Sequence, residues 1–151
     1  MIGHGVPGLN IQQSYDFPAH PVQVFAALTG GFDQWWPRTW RQTGPQGTLS
    51  LMPKIGAALL EVGPDDAQAI WGWIDGIKPP WHLYLLGRFG VDGVVAGRVH
   101  FDLEAVDSGC RLSVLHQAIG PVPEDRGGSL RRAWRAALDD DLRQFLIATG
   151  D

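Results

Sequence analysis

From Thr48 onward the spacing of apolar residues changes once, near residue 120. Before that point, from Thr48 onward, apolar and β-branched residues come in short runs: TLSLM, AALLEV, QAIWGWIDGI, WHLYLLGRF, VVAGRVHFDLEAV and CRLSVLHQAI. Gly, Pro and Asp punctuate them at PKIG, GPDD, KPP, GVDG and DSG, the pattern of an antiparallel meander. In the run ending at Val106 the alternation is strict. Val99, Phe101, Leu103 and Ala105 fall on one side and Arg98, His100, Asp102 and Glu104 on the other, so one face is buried and one is wet. After residue 120 the period becomes helical. Leu130, Ala133, Trp134, Ala137, Leu138, Leu142, Phe145 and Leu146 mark one stripe of a helix of about five turns, with Ser129 as its N-cap and Gly150 at its end. Neither apolar face can stand alone. A curved sheet wrapped around the terminal helix buries both, which makes the fold class α+β.

The chain opens with MIGHGVPG, whose glycines and proline predict a flexible leader over residues 1–9, ahead of a single domain over 10–151. LNIQQSYDF reads as a strand ended by Pro18. Pro21 suits the first position of a helix, and Val24, Phe25 and Leu28 keep helical spacing until Gly30-Gly31. A second short helical turn over Phe32 to Trp36 stops at Pro37. This gives one or two short helices after the first strand, then about six further strands.

With 151 residues and a net charge of −4, the chain is large enough for a real core and too acidic for a general nucleic-acid binder. The basic cluster at Arg131 to Arg135 runs straight into Asp139 to Asp141 and reads as a solvated helix face. The single cysteine, Cys110, excludes an internal disulfide and reads as packing. No apolar run is long enough to span a bilayer, so no membrane role is expected, and the default location is cytoplasmic.

GGFDQWWPRTW places Trp35, Trp36 and Trp40 within six residues, and tryptophan is costly to expose. Trp71 and Trp73, two apart on one strand, are expected on one face, with Ile70, Gly72 and Ile74 competing for the inside. His116 shares a face with Leu112 and Val114, so it points among apolar groups, where it could orient a ligand or move a proton. Glu61, Asp75, Tyr84 and Arg88 are further candidate polar anchors. The five histidines lack HxxxH or HxH spacing, and there is no cysteine pair, P-loop or GxGxxG after a strand. No metal and no cofactor are expected.

FPAHPVQVFAALTGGFDQWWP resembles the opening of the START-like (SRPBCC) superfamily, and more narrowly the AHSA1-like family, the homologues of the Hsp90 ATPase activator's C-terminal domain. The matching positions are Ala19, Pro21, Val24, Phe25, Leu28, Trp35 and Trp36. IWGWIDGIKPPWHLYL is similar to that family's glycine-bearing strand and Pro-Pro turn, at Gly72, Pro79 and Pro80. GCRLSVLHQAI resembles its penultimate strand, and Trp134 stands where a helix tryptophan is expected. Ala133 departs from the glycine that often precedes that tryptophan, and Thr48 to Met52 match poorly. The resemblance, over roughly residues 10–149, implies a helix-grip fold: a curved antiparallel sheet of about six or seven strands around a long C-terminal helix. It also implies a cavity between sheet and helix that takes apolar small molecules, with Trp35 and Trp36 plugging one mouth.

Three functions follow as expectations. The first is non-enzymatic binding of an apolar or aromatic small molecule, lined by Trp36, Trp71, Trp73, Phe101, Leu103, His116 and Trp134. The second is a cyclase- or hydrolase-like enzyme using His116 as acid or base. The third is a protein-interaction module, a chaperone partner or a homodimer, marked by an exposed apolar patch on the sheet edge or short helices. An Hsp90-type chaperone partner is disfavoured, because the eukaryotic activator also uses a separate N-terminal domain for which this chain has no room.

Overall fold

The computed structural model describes residues 7–149. Strand β1 (Gly8–Phe17) leads into helices α1 (Pro21–Leu28) and α2 (Phe32–Trp35) and a 3₁₀ turn (Arg38–Trp40). Strands β2 (Thr48–Ser50), β3 (Ala58–Val62), β4 (Gln68–Lys78), β5 (His82–Leu86), β6 (Ala96–Val106) and β7 (Gly109–Ile119) follow. The C-terminal helix comprises α3 (Arg126–Arg135), a π-helical stretch (Ala136–Leu142) and α4 (Arg143–Thr149).

All seven strands form one antiparallel sheet in the order β1-β7-β6-β5-β4-β3-β2. The first strand therefore pairs with the last, Ile11 opposite His116, and His116 lies opposite Val99 on its other side. Alternation fixes which face is inside. On β7, Cys110, Leu112, Val114, His116 and Ala118 are all buried, and on β6 so are Val99, Phe101 and Leu103. The C-terminal helix lies against this face.

The helix buries Leu130, Trp134, Leu138, Leu142 and Leu146, each at most 3% exposed. They recur every fourth residue. In a regular α-helix each such step overshoots a full turn by about 40°, so a fourfold stripe would wind off the sheet. The wider π-helical stretch, with its i→i+5 bonds, takes up that excess and returns Leu138 and Leu142 to the sheet-facing side.

The helix also covers an edge. Its Arg131 side chain reaches the Asn10 carbonyl (3.4 Å) and Arg143 the Asp16 carbonyl (2.8 Å), while the Gln13 side-chain amide donates to the Arg131 carbonyl (3.0 Å). The open side of β1 is thereby occupied by guanidinium groups.

Several boundaries differ from those predicted. Gly8 and Leu9 belong to β1, paired with Ile119 and Ala118, so the expected leader loses its last two residues, and residues 1–6 lie outside the described residues. Ser129 is not the N-cap. The helix begins at Arg126, and the Ser129 hydroxyl donates to the Arg126 carbonyl one turn back (3.0 Å). The run expected over Thr48 to Met52 pairs only over Thr48–Ser50. Gly150 lies outside the described residues.

Leu138→Ala should lower the unfolding free energy by about 3 kcal/mol, because a fully buried leucine leaves a cavity. Ile147→Ala, at a 59% exposed position, should stay within about 0.5 kcal/mol of wild type in the same urea titration.

Candidate functional site

The site begins with an irregularity in β4. Leu59 pairs with Gly72 and Leu60 with Ile70, so Trp71 is an extra residue facing no partner on β3. Such a bulge lets two successive residues point the same way. Trp71 and Gly72 are both buried, and alternation resumes one step out of phase, with Ile74 inside and Trp73 outside. The expectation that Trp71 and Trp73 share a face is thus overturned: Trp71 is fully buried and Trp73 is 47% exposed on the outer face.

Inside, three elements each contribute an indole around a fourth. Trp36 follows α2, Trp71 comes from β4 and Trp134 from α3. Between them sits the half-buried ring of Trp40, stacked on Trp36 (centroids 4.6 Å, planes 21° apart). It also meets Trp134 (5.1 Å) and Trp71 (5.8 Å) edge to face. These are the offset and T-shaped geometries that aromatic quadrupoles favour.

Phe89 completes the box from the β5–β6 connection, stacked on Trp134 (5.6 Å, 22°) and edge-on to Trp71 (5.3 Å). Its backbone has φ 52°, a region that a bulky L-residue enters only when its surroundings hold it there. Here its N–H bonds the Trp71 carbonyl (3.0 Å) and its ring is buried. Gly90 follows with φ 83°, and a Cβ there would lie 2.8 Å from the Trp71 ring. Only glycine lets the connection pass this close.

The indoles differ in how they are tied. Trp35 donates to the Ala27 carbonyl (2.7 Å), Trp71 to Glu61 (2.9 Å) and Trp134 to His116 Nδ1 (3.0 Å). Among the described residues, neither Trp36 nor Trp40 makes a side-chain hydrogen bond, and Trp36 Nε1 is buried without a partner.

The backbone around these two rings is, by contrast, firmly held. Buried Arg41 donates to the Asp33 side chain and the Gly47 carbonyl (2.6 Å each), to the Trp36 carbonyl (2.7 Å) and to the Asp33 carbonyl (2.9 Å). Buried Glu61 accepts from the Gln42 and Thr43 N–H groups (2.9 and 2.5 Å), the Thr43 hydroxyl and the Trp71 indole. Burial alone would raise its pKa, but these donors together hold the carboxyl below its ordinary value.

His116 stands behind Trp134 on β7, the strand next to the β1 edge of the sheet. Because Nδ1 accepts the indole proton, the neutral ring carries its hydrogen on Nε2. That atom is buried and unpartnered. Burial drives the His116 pKa down to about 4, with the Arg88 backbone pulling upward and the Arg126 charge downward. The ring is therefore neutral at physiological pH.

Of the residues expected to line a site, the structure brings together Trp36, Trp71, Trp134 and His116. Phe101 joins through Trp134 (5.9 Å). Leu103, the next inward residue on β6, is buried further along the sheet, opposite Leu112. Trp40 and Phe89 were not expected there. The WWPRTW spacing carried a hint of the first, but Phe89 ends the run WHLYLLGRF, which reads as strand throughout, whereas β5 stops at Leu86. Of the other polar candidates, Tyr84 bonds Asp102 (2.6 Å) on the outer face, away from the box. Burial pushes the Cys110 thiol up to about 11, which suits a packing residue.

Two pH windows follow. Unfolded His116 takes up a proton below 6.5 while the folded ring does not until about pH 4, so stability should fall by about 3 kcal/mol across that interval. Below 4.5 the unfolded Glu61 carboxyl protonates before the folded one, and stability should fall further. Urea midpoints measured against pH should flatten in the upper window for His116→Gln and in the lower one for Glu61→Gln.

No protein-family model matches the chain, and no curated protein matches it by sequence. Solved structures do. A Mesorhizobium loti protein, MLL2253, superimposes with a TM-score of 0.72 at 14% identity, over 93% of this chain and 98% of its own. An AHSA1-like protein from Aeromonas hydrophila gives 0.64 at 12% identity, over 94% of each chain. DynU16, a protein of the dynemicin biosynthetic locus, gives 0.69 at 20% identity, over 96% of this chain and 49% of its own. At these identities the likeness is one of fold. With a seven-stranded antiparallel sheet around a long C-terminal helix and short helices after the first strand, the chain shares the helix-grip architecture of those structures.

Proposed function

We propose that the protein binds a small planar aromatic molecule, without transforming it, in the place that the Trp40 ring occupies between sheet and helix. The observation that carries this reading is the Trp40 ring itself. It lies in a box of three tryptophans, half-buried, with no side-chain hydrogen bond to hold it among the described residues. Its backbone neighbours are pinned through Arg41 and Glu61, so rotation of one side chain is enough to exchange it for a ligand ring. Trp71 and Trp134, fixed by Glu61 and His116, then serve as walls. Stacking and burial supply the affinity. A structural neighbour from a biosynthetic locus fits a role in handling small molecules.

The low His116 pKa favours binding over catalysis. A group titrating near 4 is a weak base at neutral pH and has no proton to give as an imidazolium. Its role in this reading is to hold Trp134, one of the walls, in place through Nδ1.

Naphthalene and quinoline, both about the size of an indole, test the proposal. Native mass spectrometry and equilibrium dialysis should show a saturable one-to-one complex with wild type. Trp40→Ala, which removes the internal competitor, should bind about tenfold tighter. Absence of binding to wild type, or weaker binding by Trp40→Ala in a folded protein, would sink the reading.

The outer face supports a second reading, a homodimer. Ile70, Trp73, Leu86 and Ile119 point outward and are each between 42% and 53% exposed, around a shared groove with Ala96 and Gly97. Sedimentation velocity should then give a dimer that Trp73→Ser converts to monomer. A wild-type monomer at every concentration rejects it.

A further inference from the structure

We infer that the ligand of this site is an aromatic carboxylate, with Arg126 at the start of α3 as the counter-ion for its acid group. The inference rests on the binding reading above and adds the ligand's charge and orientation to it.

The orientation comes from Gly90. A Cβ placed on Gly90 would lie 3.5 Å from Trp40 Nε1, so the polar edge of the Trp40 ring lies against this residue. The same Cβ would lie 2.8 Å from the ring of Trp71, one of the walls. The Gly90 carbonyl in turn accepts from Arg126 Nη2 at 3.5 Å. One glycine therefore separates the ring that occupies the site from a guanidinium group. An acid group on the edge of a bound ring, where the indole nitrogen now lies, comes within reach of that arginine's long side chain.

Arg126 has little else to hold. It is half-buried, yet among the described residues it joins no ion pair, and its side-chain hydrogen bond to Gly90 is at the outer limit of such bonds. Its acidic neighbours in the chain, Glu124 and Asp125, are exposed. The two charged groups buried beside the box are already committed. Arg41 engages Asp33 and three backbone carbonyls, and Glu61 accepts from four donors. A partly buried cation without a partner is costly, and the two oxygens of a carboxylate match the guanidinium fork.

The charge of Arg126 is also felt inside. Burial is the main cause of the low His116 pKa, the Arg88 backbone opposes it and the Arg126 charge adds to it. His116 holds Trp134, so the positive field of Arg126 extends to the walls of the box. That field favours an anionic ligand over a cationic one. A carboxylate, being flat, also suits a slot bounded by the face of Trp36.

Naphthalene and 2-naphthoate share a frame and differ by one acid group. In equilibrium dialysis near neutral pH and at low salt, wild type should bind 2-naphthoate about tenfold tighter than naphthalene, the worth of one charge-assisted contact. Arg126→Gln should lower that ratio about tenfold, with naphthalene affinity unchanged within about twofold. Arg88→Gln, at an exposed arginine of the same connection as Gly90, should leave the ratio as it is. If Arg126→Gln does not fold, Arg126→Lys, which keeps the charge and loses the fork, should still lower the ratio about threefold. Naphthoate binding no tighter than naphthalene, a ratio untouched by substitution of Arg126, or an equal loss in Arg88→Gln overturns the inference while leaving the binding reading intact. If wild type binds neither compound, both fall together.

Discussion

The hydrogen bond from the Trp134 indole to His116 Nδ1 ties the C-terminal helix to β7 of the sheet, and the interior is arranged around it. Trp134 is the largest residue of the helix stripe, and its polar edge would be costly to bury unmet. His116 meets it from β7, the strand joining the first and sixth strands. The bond sets the histidine tautomer, keeps the ring neutral in a dry core and orients the indole against Phe89 and Trp40. Because burial rather than a charged partner sets the histidine's state, the same contact makes the fold sensitive to acid.

Around that bond the aromatic residues divide by how they are secured. Trp35, Trp71 and Trp134 each have a hydrogen-bonded indole and cannot rotate without losing it. Trp36 and Trp40 are held by ring contacts alone. Arg41 and Glu61 explain how loose side chains can sit on a fixed backbone. They bond the main chain over Trp36 to Thr43, and the burial of the Glu61 carboxylate and of the Arg41 terminal nitrogens is compensated by the groups they engage, while Arg41 Nε is left without a partner among the described residues. Ring contacts tolerate exchange of one flat partner for another, whereas a directed hydrogen bond does not. Phe89, held at positive φ, lends the box a wall that its local sequence would not select.

Much of the architecture was legible in the sequence because period is a direct consequence of which face is buried. The change from period two to a helical stripe placed the strands and the final helix within a few residues of their ends. The sequence could not reveal where the period slips. Trp71 and Trp73 look equivalent in QAIWGWIDGI, yet one bulged residue sends them to opposite faces, and only the pairing with Leu59 and Leu60 decides it. The stripe of every fourth residue from Leu130 to Leu146 contained the signal for a widened helix, but that spacing also fits a regular helix over two turns. His116, Trp36 and Trp134 could be picked out as inward-facing large or polar residues. Trp40 and Phe89 could not, since both lie in irregular segments whose direction is set by tertiary contacts.

The arginines on the edge of β1 have a consequence for how these molecules meet one another. A sheet with free edges can template a strand from a neighbouring chain, and repeated templating gives fibrils. Here Arg131 and Arg143 occupy carbonyls along one edge, and the opposite edge is β2, only three residues long. An incoming strand would have to displace two guanidinium groups on one side, or gain a foothold on Thr48–Ser50 on the other. The helix that closes the core thus also leaves the sheet with little purchase for runaway polymerisation.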